Sequence, residues 1–190
     1  PLMFEDKSAE KLQTMAAKHY LTHEFFRAKA LQGKVVDADG TELINFFTEF
    51  GITEQVEFFG AAGGIRKHVI AVKRHIEDNL RGESMTGIAC LCSREFMDMM
   101  LDDADVKAAY NSAAAMMQLN PALYDVRFSF PYQGVIFVEY NGQGSYVNPV
   151  TGVASTVKFI PANEARFFPL GTMDCAHFVC APADFIDTAN

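Results

Sequence analysis

The chain has 190 residues, of which 49% are hydrophobic and 21% are charged, with 17 Phe and no Trp. This composition predicts a packed domain of ordinary size and excludes a disordered chain. The net charge of −8 argues against a general nucleic-acid binder, which would normally carry a basic balance.

The first predicted element is a helix over residues 8–32 that Ser8 would cap. Gly33 would end it in the left-handed conformation that favours glycine. The side chains that recur along it at three- and four-residue spacing, and so define its predicted inner face, are Leu12, Met15, Ala16, His19, Phe26 and Ala30.

A hairpin is predicted next, because residues 34–50 read as two short strands around Asp39-Gly40. The pair suits a type I′ turn, since Asp and Gly both tolerate the positive φ angles that this turn requires. The expected result is a tight turn followed by an apolar strand.

The same segment invites a calcium-loop interpretation through Asp37, Asp39 and Thr41. An EF-hand loop requires Gly at its sixth position and Glu at its twelfth. This chain has Glu42 and Thr48 there, so a turn is the favoured interpretation.

A second helix is predicted over residues 65–80, where an apolar residue recurs every three or four positions from Ile65 to Leu80. Its other face is basic and could contact phosphates. Because Glu77 and Asp78 partly balance that face and the whole chain is acidic, a solvated face is favoured. The basic residues are Arg66, Lys67, Lys73 and Arg74. The glycines at 60, 63 and 64 precede this helix and predict a turn or hinge, since the Lys-Ser/Thr pair of a phosphate loop is missing.

Residues 86–92 predict a buried strand, after which Ser93 would cap a short Met-rich helix and Asp105 would begin another that runs to about Gln118. Strands dominate after Pro121, and we expect the loop at 141–145 to be a hairpin tip. The predicted strands cover residues 126–130, 134–140, 153–160, 165–169 and 175–180. Helices followed by antiparallel strands predict an α+β fold.

Four cysteines and two histidines raise the question of a metal site. His19 and His23 lie four residues apart on one helix, but Tyr20 stands where a zincin motif has Glu, so half-buried structural histidines are favoured. Cys90 and Cys92 share one face of a strand, as would the ligands of a second strand with Cys175, His177 and Cys180. Each cysteine lies in an apolar run, which favours the role of a small core residue.

No disulfide framework is needed at this length, and no signal peptide opens the chain, so a reducing cytoplasm is predicted. No apolar run approaches the ~18 residues of a spanning helix. Neither end resembles a natural terminus, so we expect a fragment of a longer protein. A nucleophile elbow, a Gly-rich phosphate loop and a dinucleotide fingerprint are all missing from the sequence, so no catalytic, cofactor-binding or metal-binding residue is predicted.

Three groups of segments resemble the lambda-type major capsid (head) proteins of tailed bacteriophages. Residues 30–52, ALQGKVVDADGTELINFFTEFGI, are similar to that family's hairpin segment. Residues 74–82, followed by 86–92 and Phe96, resemble its long helix, strand and next helix. The third group resembles its C-terminal strand region and comprises residues 134–140, 160–171 and 181–185. The matches keep their order over nearly the whole chain.

The resemblance implies the Hong Kong ninety-seven-type capsid fold, with a long spine helix, antiparallel strands, and axial and peripheral subdomains. It implies that the chain is the central part of a longer subunit from a phage or prophage. On this basis residues of about 1–85 and 155–190 would be peripheral-domain-like, and about 86–154 axial-domain-like.

The function implied is that of a structural subunit, not an enzyme, that self-assembles into pentamers and hexamers of an icosahedral shell enclosing DNA. Its partners would be further copies of itself, with scaffold, portal and decoration proteins, no membrane, and only weak non-specific DNA contact. It would reside in the virion, and in the host cytoplasm during assembly. The loops at 141–145 and Asp39-Gly40 are the candidate inter-subunit contacts.

Two alternatives stay open at this point. One is a small cytoplasmic metal-binding domain or enzyme that uses Cys90, Cys92, Cys175 and Cys180. The other is a nucleic-acid-binding module that uses Lys73 and Arg74 on the basic helix face.

Overall fold

The computed structural model describes residues 2–37, 39–60, 64–109, 111, 129–148, 150–173 and 175, with side chains from Asp6 onward. The fold is mixed helix and strand, as predicted. The named elements in chain order are α1 (Leu2–Ala30), β1 (Lys34–Val36), β2 (Glu42–Asn45), α2 (Phe46–Phe50), α3 (Ile65–Asn79), β3 (Gly87–Cys92), α4 (Arg94–Asp102), β4 (Ser129–Tyr132), β5 (Val135–Glu139), β6 (Gln143–Val147), β7 (Ala154–Lys158) and β8 (Ala165–Leu170).

A four-stranded sheet with the order β4-β5-β3-β8 forms the centre of the larger part of the molecule. The predicted strands at 86–92 and 165–169 are confirmed as β3 and β8, which pair antiparallel. The antiparallel pairing predicted for the last third of the chain is confirmed for β4 with β5 and for β6 with β7, whereas β3 and β5 run parallel. The chain between them contains α4 and is long enough for the crossover connection that parallel strands require.

Helices α3 and α4 pack with this sheet around one hydrophobic core. Ile65 and Val69 of α3 and Met97 and Met100 of α4 are buried together with β3. The predicted cap of α4 is confirmed, since the Ser93 hydroxyl accepts a hydrogen bond from the Phe96 amide at 3.2 Å. We call α3, α4 and these four strands the sheet region.

The second part of the molecule consists of α1, the β1–β2 hairpin with α2, and the β6–β7 hairpin, and we call it the helix region. Its core is small: Phe25 and Ala28 of α1 pack against Phe159, with Tyr140 and Val157 at the edge. The side-chain nitrogen of Gln32 donates to the carbonyl oxygen of Phe159 at 2.6 Å. This hydrogen bond connects the chain at the end of α1 to the segment that follows β7.

Helix α1 corrects two predictions. It already includes Leu2, so Ser8 lies inside the helix and does not cap it. The predicted inner face is exposed, with Leu12 at 64% exposure, whereas Phe25 and Ala28, on roughly the opposite side, are buried. Periodicity identifies the apolar side of a helix but not whether another part of the chain covers that side. Gly33 has a φ of 76°, as predicted for the residue that ends the helix.

The predicted hairpin at Asp39-Gly40 is confirmed as β1 and β2, but its turn type is wrong. Gly40 has a φ of 91°, whereas Asp39 is not among the described non-glycine residues with positive φ. The Gly40 amide donates to the Asp37 carbonyl oxygen at 3.0 Å, and the loop is wider than a two-residue turn. The apolar strand expected after it ends at Asn45, whose side chain caps α2.

The later hairpins shift by a few residues from their predicted positions. The turn between β4 and β5 lies at Gln133-Gly134, with φ angles of 52° and 83°, and not at 131–133. Pro131 lies within β4, which is possible because that strand is at the edge of the sheet. Residues 143–147 form β6 and not a hairpin tip, because the chain turns only at 148–153.

The helix predicted to begin at Asp105 instead includes residues 104–109. The Asp103 carboxylate caps it, because it accepts hydrogen bonds from the backbone amides of Asp105 and Val106. The predictions for residues 112–118, 126–128 and 176–180 lie outside the described residues. Within the part of the chain that the structure describes, none of the helices is both long and apolar enough to cross a membrane.

Candidate assembly surface

The β6–β7 hairpin carries one charged residue, Lys158 at the end of β7, which pairs with Glu95 at 2.8 Å. From Asn141 to Val157 the sequence contains no Asp, Glu, Lys, Arg or His. The two strands pair only with each other among the described strands, so each has an outer edge that no other described strand covers. Natural proteins usually protect such edges with charged side chains. An uncharged edge that stays accessible is therefore typical of a surface that another chain covers.

The tip of this hairpin presents apolar side chains to solvent. Val150 is 91% exposed, and Val147 and Val153 are 57% and 63% exposed. The tip is held by its own hydrogen bonds, since the Asn148 carboxamide oxygen accepts from the amides of Val150 at 2.8 Å and Thr151 at 3.1 Å. These valines therefore project from a defined turn.

The β1–β2 turn lies next to the β6–β7 hairpin. Asp37, Asp39 and Gly40 line a cleft of about 550 Å³ together with Tyr146 and Thr151. The pKa of Tyr146 is raised, first by burial and then by the nearby carboxylates of Asp39 and Asp37. The Thr41 amide donates to the Asp39 carboxylate at 2.8 Å and lowers the pKa of that side chain, as expected of a turn residue. We call Asp37, Asp39, Gly40 and the three exposed valines the tip surface.

A separate groove of about 1310 Å³ lies between residues 54–60, α3 and β8, and Leu31 and Phe47 of the helix region also line it. Its apolar lining includes Val56, Phe58 and Met99, and Phe58 is 74% exposed. Arg74 and His75 of α3 also line it.

Ion pairs fix the 54–60 segment over this groove. Arg166 of β8 donates to Glu54 at 2.9 Å and pairs with Glu164 as well. Burial lowers the pKa of Arg166, whereas the two carboxylates raise it, and the net effect is a raised pKa. His68 of α3 contacts Glu57 at 2.6 Å. The carboxylates at 54, 57 and 164 are therefore already engaged.

The three cysteines that the structure describes do not meet in one site. Cys90 and Cys92 are buried in β3, and burial raises the pKa of the Cys90 thiol. The Cys92 thiol donates to the Val138 carbonyl oxygen at 3.4 Å, as a core residue would. Cys175 is exposed, and Cys180 lies outside the described residues. No group of three or more potential ligands able to hold a metal occurs within the described residues.

The two histidines of α1 and the basic face of α3 are at the surface. His19 and His23 are exposed and not half-buried, because the side of α1 that carries them packs against none of the described core. On α3, Lys73 is 3.8 Å from Glu77, and Arg66, Lys67 and Arg74 are exposed, in line with the predicted solvated face.

Of the two loops predicted to contact neighbours, the structure brings Asp39-Gly40 to the tip surface and places 141–145 at the base of the hairpin. Sequence reasoning missed residues 147–153. The available signals were the turn composition of NPVTG and the 17-residue stretch from Asn141 to Val157 that lacks charge.

Comparison with known proteins identifies the family. The model of the family described as phage major capsid protein E matches residues 2–190. The major capsid protein of Salmonella phage Felix O1 (isolate Felix O1-VT1) is 28% identical in an alignment of 152 positions, and the match covers 71% of this chain and 41% of that protein. The chain thus spans less than half the length of this relative. Because the family model matches nearly every residue, the chain belongs to the phage major capsid protein E family.

Proposed function

We propose that the chain is the core of a structural subunit of an icosahedral bacteriophage head. The subunit self-assembles into pentamers and hexamers that enclose packaged DNA. The observation that carries this proposal beyond family membership is the uncharged stretch from Asn141 to Val157 in the β6–β7 hairpin, with its three exposed valines. An accessible apolar tip with unprotected strand edges suits a protein that works by association.

We further propose that the fold is of the Hong Kong ninety-seven type. The resemblance in sequence placed the family's long helix near residues 74–82, in α3. Helix α1 is the better candidate for the spine helix, because it has 29 residues against 15 in α3. At 1.5 Å per residue it is about 43 Å long.

The two hydrophobic cores support a division into two subdomains. We propose that the helix region, with the long helix and two hairpins, is the peripheral subdomain and that the sheet region is the axial one. Boundaries near residues 85 and 155 stay a prediction. Val69 and Ile88 belong to the larger core and Phe167 packs against it, although these residues lie on both sides of positions 85 and 155. The proposed division is therefore drawn between the two cores and not at those positions.

The proposed partners are further copies of the same subunit, with scaffold, portal and decoration proteins around them. The proposed locations are the virion and, during assembly, the host cytoplasm. Contact with packaged DNA would be weak and non-specific, since a chain with a net charge of −8 does not hold phosphates tightly. The subunit would perform no catalysis and need no cofactor.

Electron microscopy of the full-length protein tests this proposal. The protein that contains this chain should be expressed with its neighbouring head genes, because the chain spans only 41% of its relative. We expect closed shells of uniform size built from this subunit. If the full-length protein is expressed and folded in the presence of those genes but no shells form, the proposal is overturned.

A further inference from the structure

We propose that the tip surface of one subunit docks into the groove of a second copy. The inference rests on the proposed function and adds which surfaces meet. The tip surface belongs to the β1–β2 and β6–β7 hairpins, whereas the groove lies between residues 54–60, α3 and β8. Two different surfaces of one chain that fit each other make a head-to-tail contact, which forms a closed ring when the rotation closes.

The apolar part of the contact involves the three valines of the tip and the exposed side chains of the groove. Val150 is almost fully exposed, and Phe58 and Val56 are exposed at the groove. Burial of these side chains in one contact would remove two apolar patches from water at once. The stretch from Asn141 to Val157, which includes the valines, brings no charge that would have to be desolvated in the groove.

The charges also match. Of the carboxylates that line the groove, Glu54, Glu57 and Glu164 are already engaged by Arg166 and His68, whereas Asp78 lies on α3 itself. The basic face of α3, with Arg74 at the groove, remains exposed. The tip surface carries the carboxylates of Asp37 and Asp39, and the chain has no Lys or Arg from residue 35 to 65. Docking would therefore bring a carboxylate pair towards the basic helix face, an arrangement that fixes orientation.

A mixed cross-linking experiment tests the contact directly. Full-length subunits carrying Val150→Cys and others carrying Phe58→Cys, both with Cys175→Ser and Cys180→Ser, are co-assembled and treated with a flexible thiol–thiol cross-linker. The buried Cys90 and Cys92 are inaccessible in the folded chain. We expect cross-linked dimers of a Val150→Cys subunit with a Phe58→Cys subunit, the mixed pair, to be at least about tenfold more abundant than cross-linked dimers of either variant with itself. This ratio corresponds to a preference of about 1.4 kcal/mol.

The matched control replaces the Phe58→Cys subunit with a Met173→Cys subunit, whose cysteine would be exposed and would lie in neither surface. Equal cross-linking with this control, or a lack of the mixed pair in well-formed heads, would overturn the inference and leave the proposed function standing. A lack of heads from the unmodified protein would instead overturn the proposed function.

Assembly yields provide an independent test. Val150→Asp would place an unpaired carboxylate in the groove, so we expect at least about tenfold fewer heads. Its fold should be unaffected because the side chain is exposed, and a circular dichroism melt checks this. Met173→Asp is the control, since Met173 is 85% exposed and lies in neither surface. Equal head yields from both variants would overturn the inference.

A charge exchange tests the orientation. Arg74→Glu alone should reduce head yield, and addition of Asp39→Lys should restore part of it. Asp39→Asn retains the side-chain oxygen that accepts a hydrogen bond from the Thr41 amide but removes the charge. It therefore distinguishes an effect of the turn structure from an effect of the charge. A double variant no better than the poorer single variant would overturn the proposed orientation.

Discussion

The sheet region and the helix region bury their side chains to very different extents. In the sheet region, four strands and two helices share one continuous core of buried residues. In the helix region, only Phe25, Ala28 and Phe159 form the buried cluster, and residues 9–24 of α1 are exposed on every side. An isolated helix gains most of its stability from packing of an apolar face. Among the described residues, the helix region therefore gains much less stability from packing than the sheet region does.

The difference bears on assembly, because the tip surface belongs to the helix region. A region with few buried contacts opens locally at low free energy. Contacts with neighbours would then stabilise it by mass action. The comparison makes quantitative predictions for each region.

The largest expected effect is for Phe137→Ala in the sheet region. Phe137 is 0% exposed in β5, and its ring meets that of Phe167 edge-to-face at 5.7 Å. Loss of a buried phenyl ring in a close-packed core should lower the free energy of unfolding by about 3–5 kcal/mol, as measured by urea denaturation. Leu12→Ala on exposed α1 is the control and should change it by less than about 0.5 kcal/mol. A loss below about 1 kcal/mol for Phe137→Ala would contradict the assignment of the main core.

A smaller and more local effect is expected for Phe159→Ala in the helix region. Phe159 is 1% exposed and packs edge-to-face on Phe25 at 5.3 Å. Its truncation should weaken the attachment of α1 by about 3 kcal/mol. Hydrogen exchange should then show lost protection in the last turns of α1 but not in β3. Equal loss of protection in both would show that the two regions unfold as one unit and would break the comparison.

The sheet region is also the part that sequence patterns predicted best. The periodicity from Ile65 to Leu80 identified α3 because its apolar face is buried within the same chain. The buried run before Ser93 identified β3 for the same reason, and the Ser93 cap is a local interaction that the neighbouring residues determine. Pairing order was not predictable, since the parallel contact of β3 with β5 depends on a crossover distant in sequence.

The helix region misled the same reasoning for a physical reason. The apolar stripe from Leu12 to Ala30 was interpreted as an inner face, yet the chain itself covers the opposite side. Residues 141–145 have a tip-like composition but form the base of a hairpin, because strand pairing of Tyr146 with Ser155 places the turn later. Apolar periodicity does not distinguish a face buried by the same chain from a face left for another.

A third prediction concerns the cap of α4 in the sheet region. Ser93→Ala removes the hydroxyl that accepts the Phe96 amide, and Ser93 is buried, so water cannot replace it fully. The free energy of unfolding should fall by about 1 kcal/mol. Ser155→Ala in exposed β7 serves as the matched control and should leave stability nearly unchanged. An equal effect of the two substitutions would show that the cap contributes nothing.

The smallest effect is expected for Tyr140→Phe, which tests how the two regions are joined. The Tyr140 hydroxyl donates to the Glu24 carboxylate of α1 at 2.7 Å. Burial, followed by this hydrogen bond and the charge of Glu24, raises the pKa of Tyr140 well above its ordinary value. The folded chain therefore keeps the proton at pH values where the unfolded chain loses it. The contribution to stability is full below about pH 10 and is lost as the pH rises above that value.

Because this hydrogen bond lies near solvent, its removal should lower the free energy of unfolding by only about 0.5–1 kcal/mol at pH 7. Urea denaturation at a series of pH values from 7 to about 11 measures the effect. The difference between the unmodified chain and Tyr140→Phe should shrink above pH 10, since ionisation of the phenol then stabilises the unfolded form of the unmodified chain. Tyr20→Phe on exposed α1 controls for loss of a phenol. A difference that stays constant through this range would mean that Tyr140 titrates alike in both states, and that α1 is not held to the hairpin through Glu24.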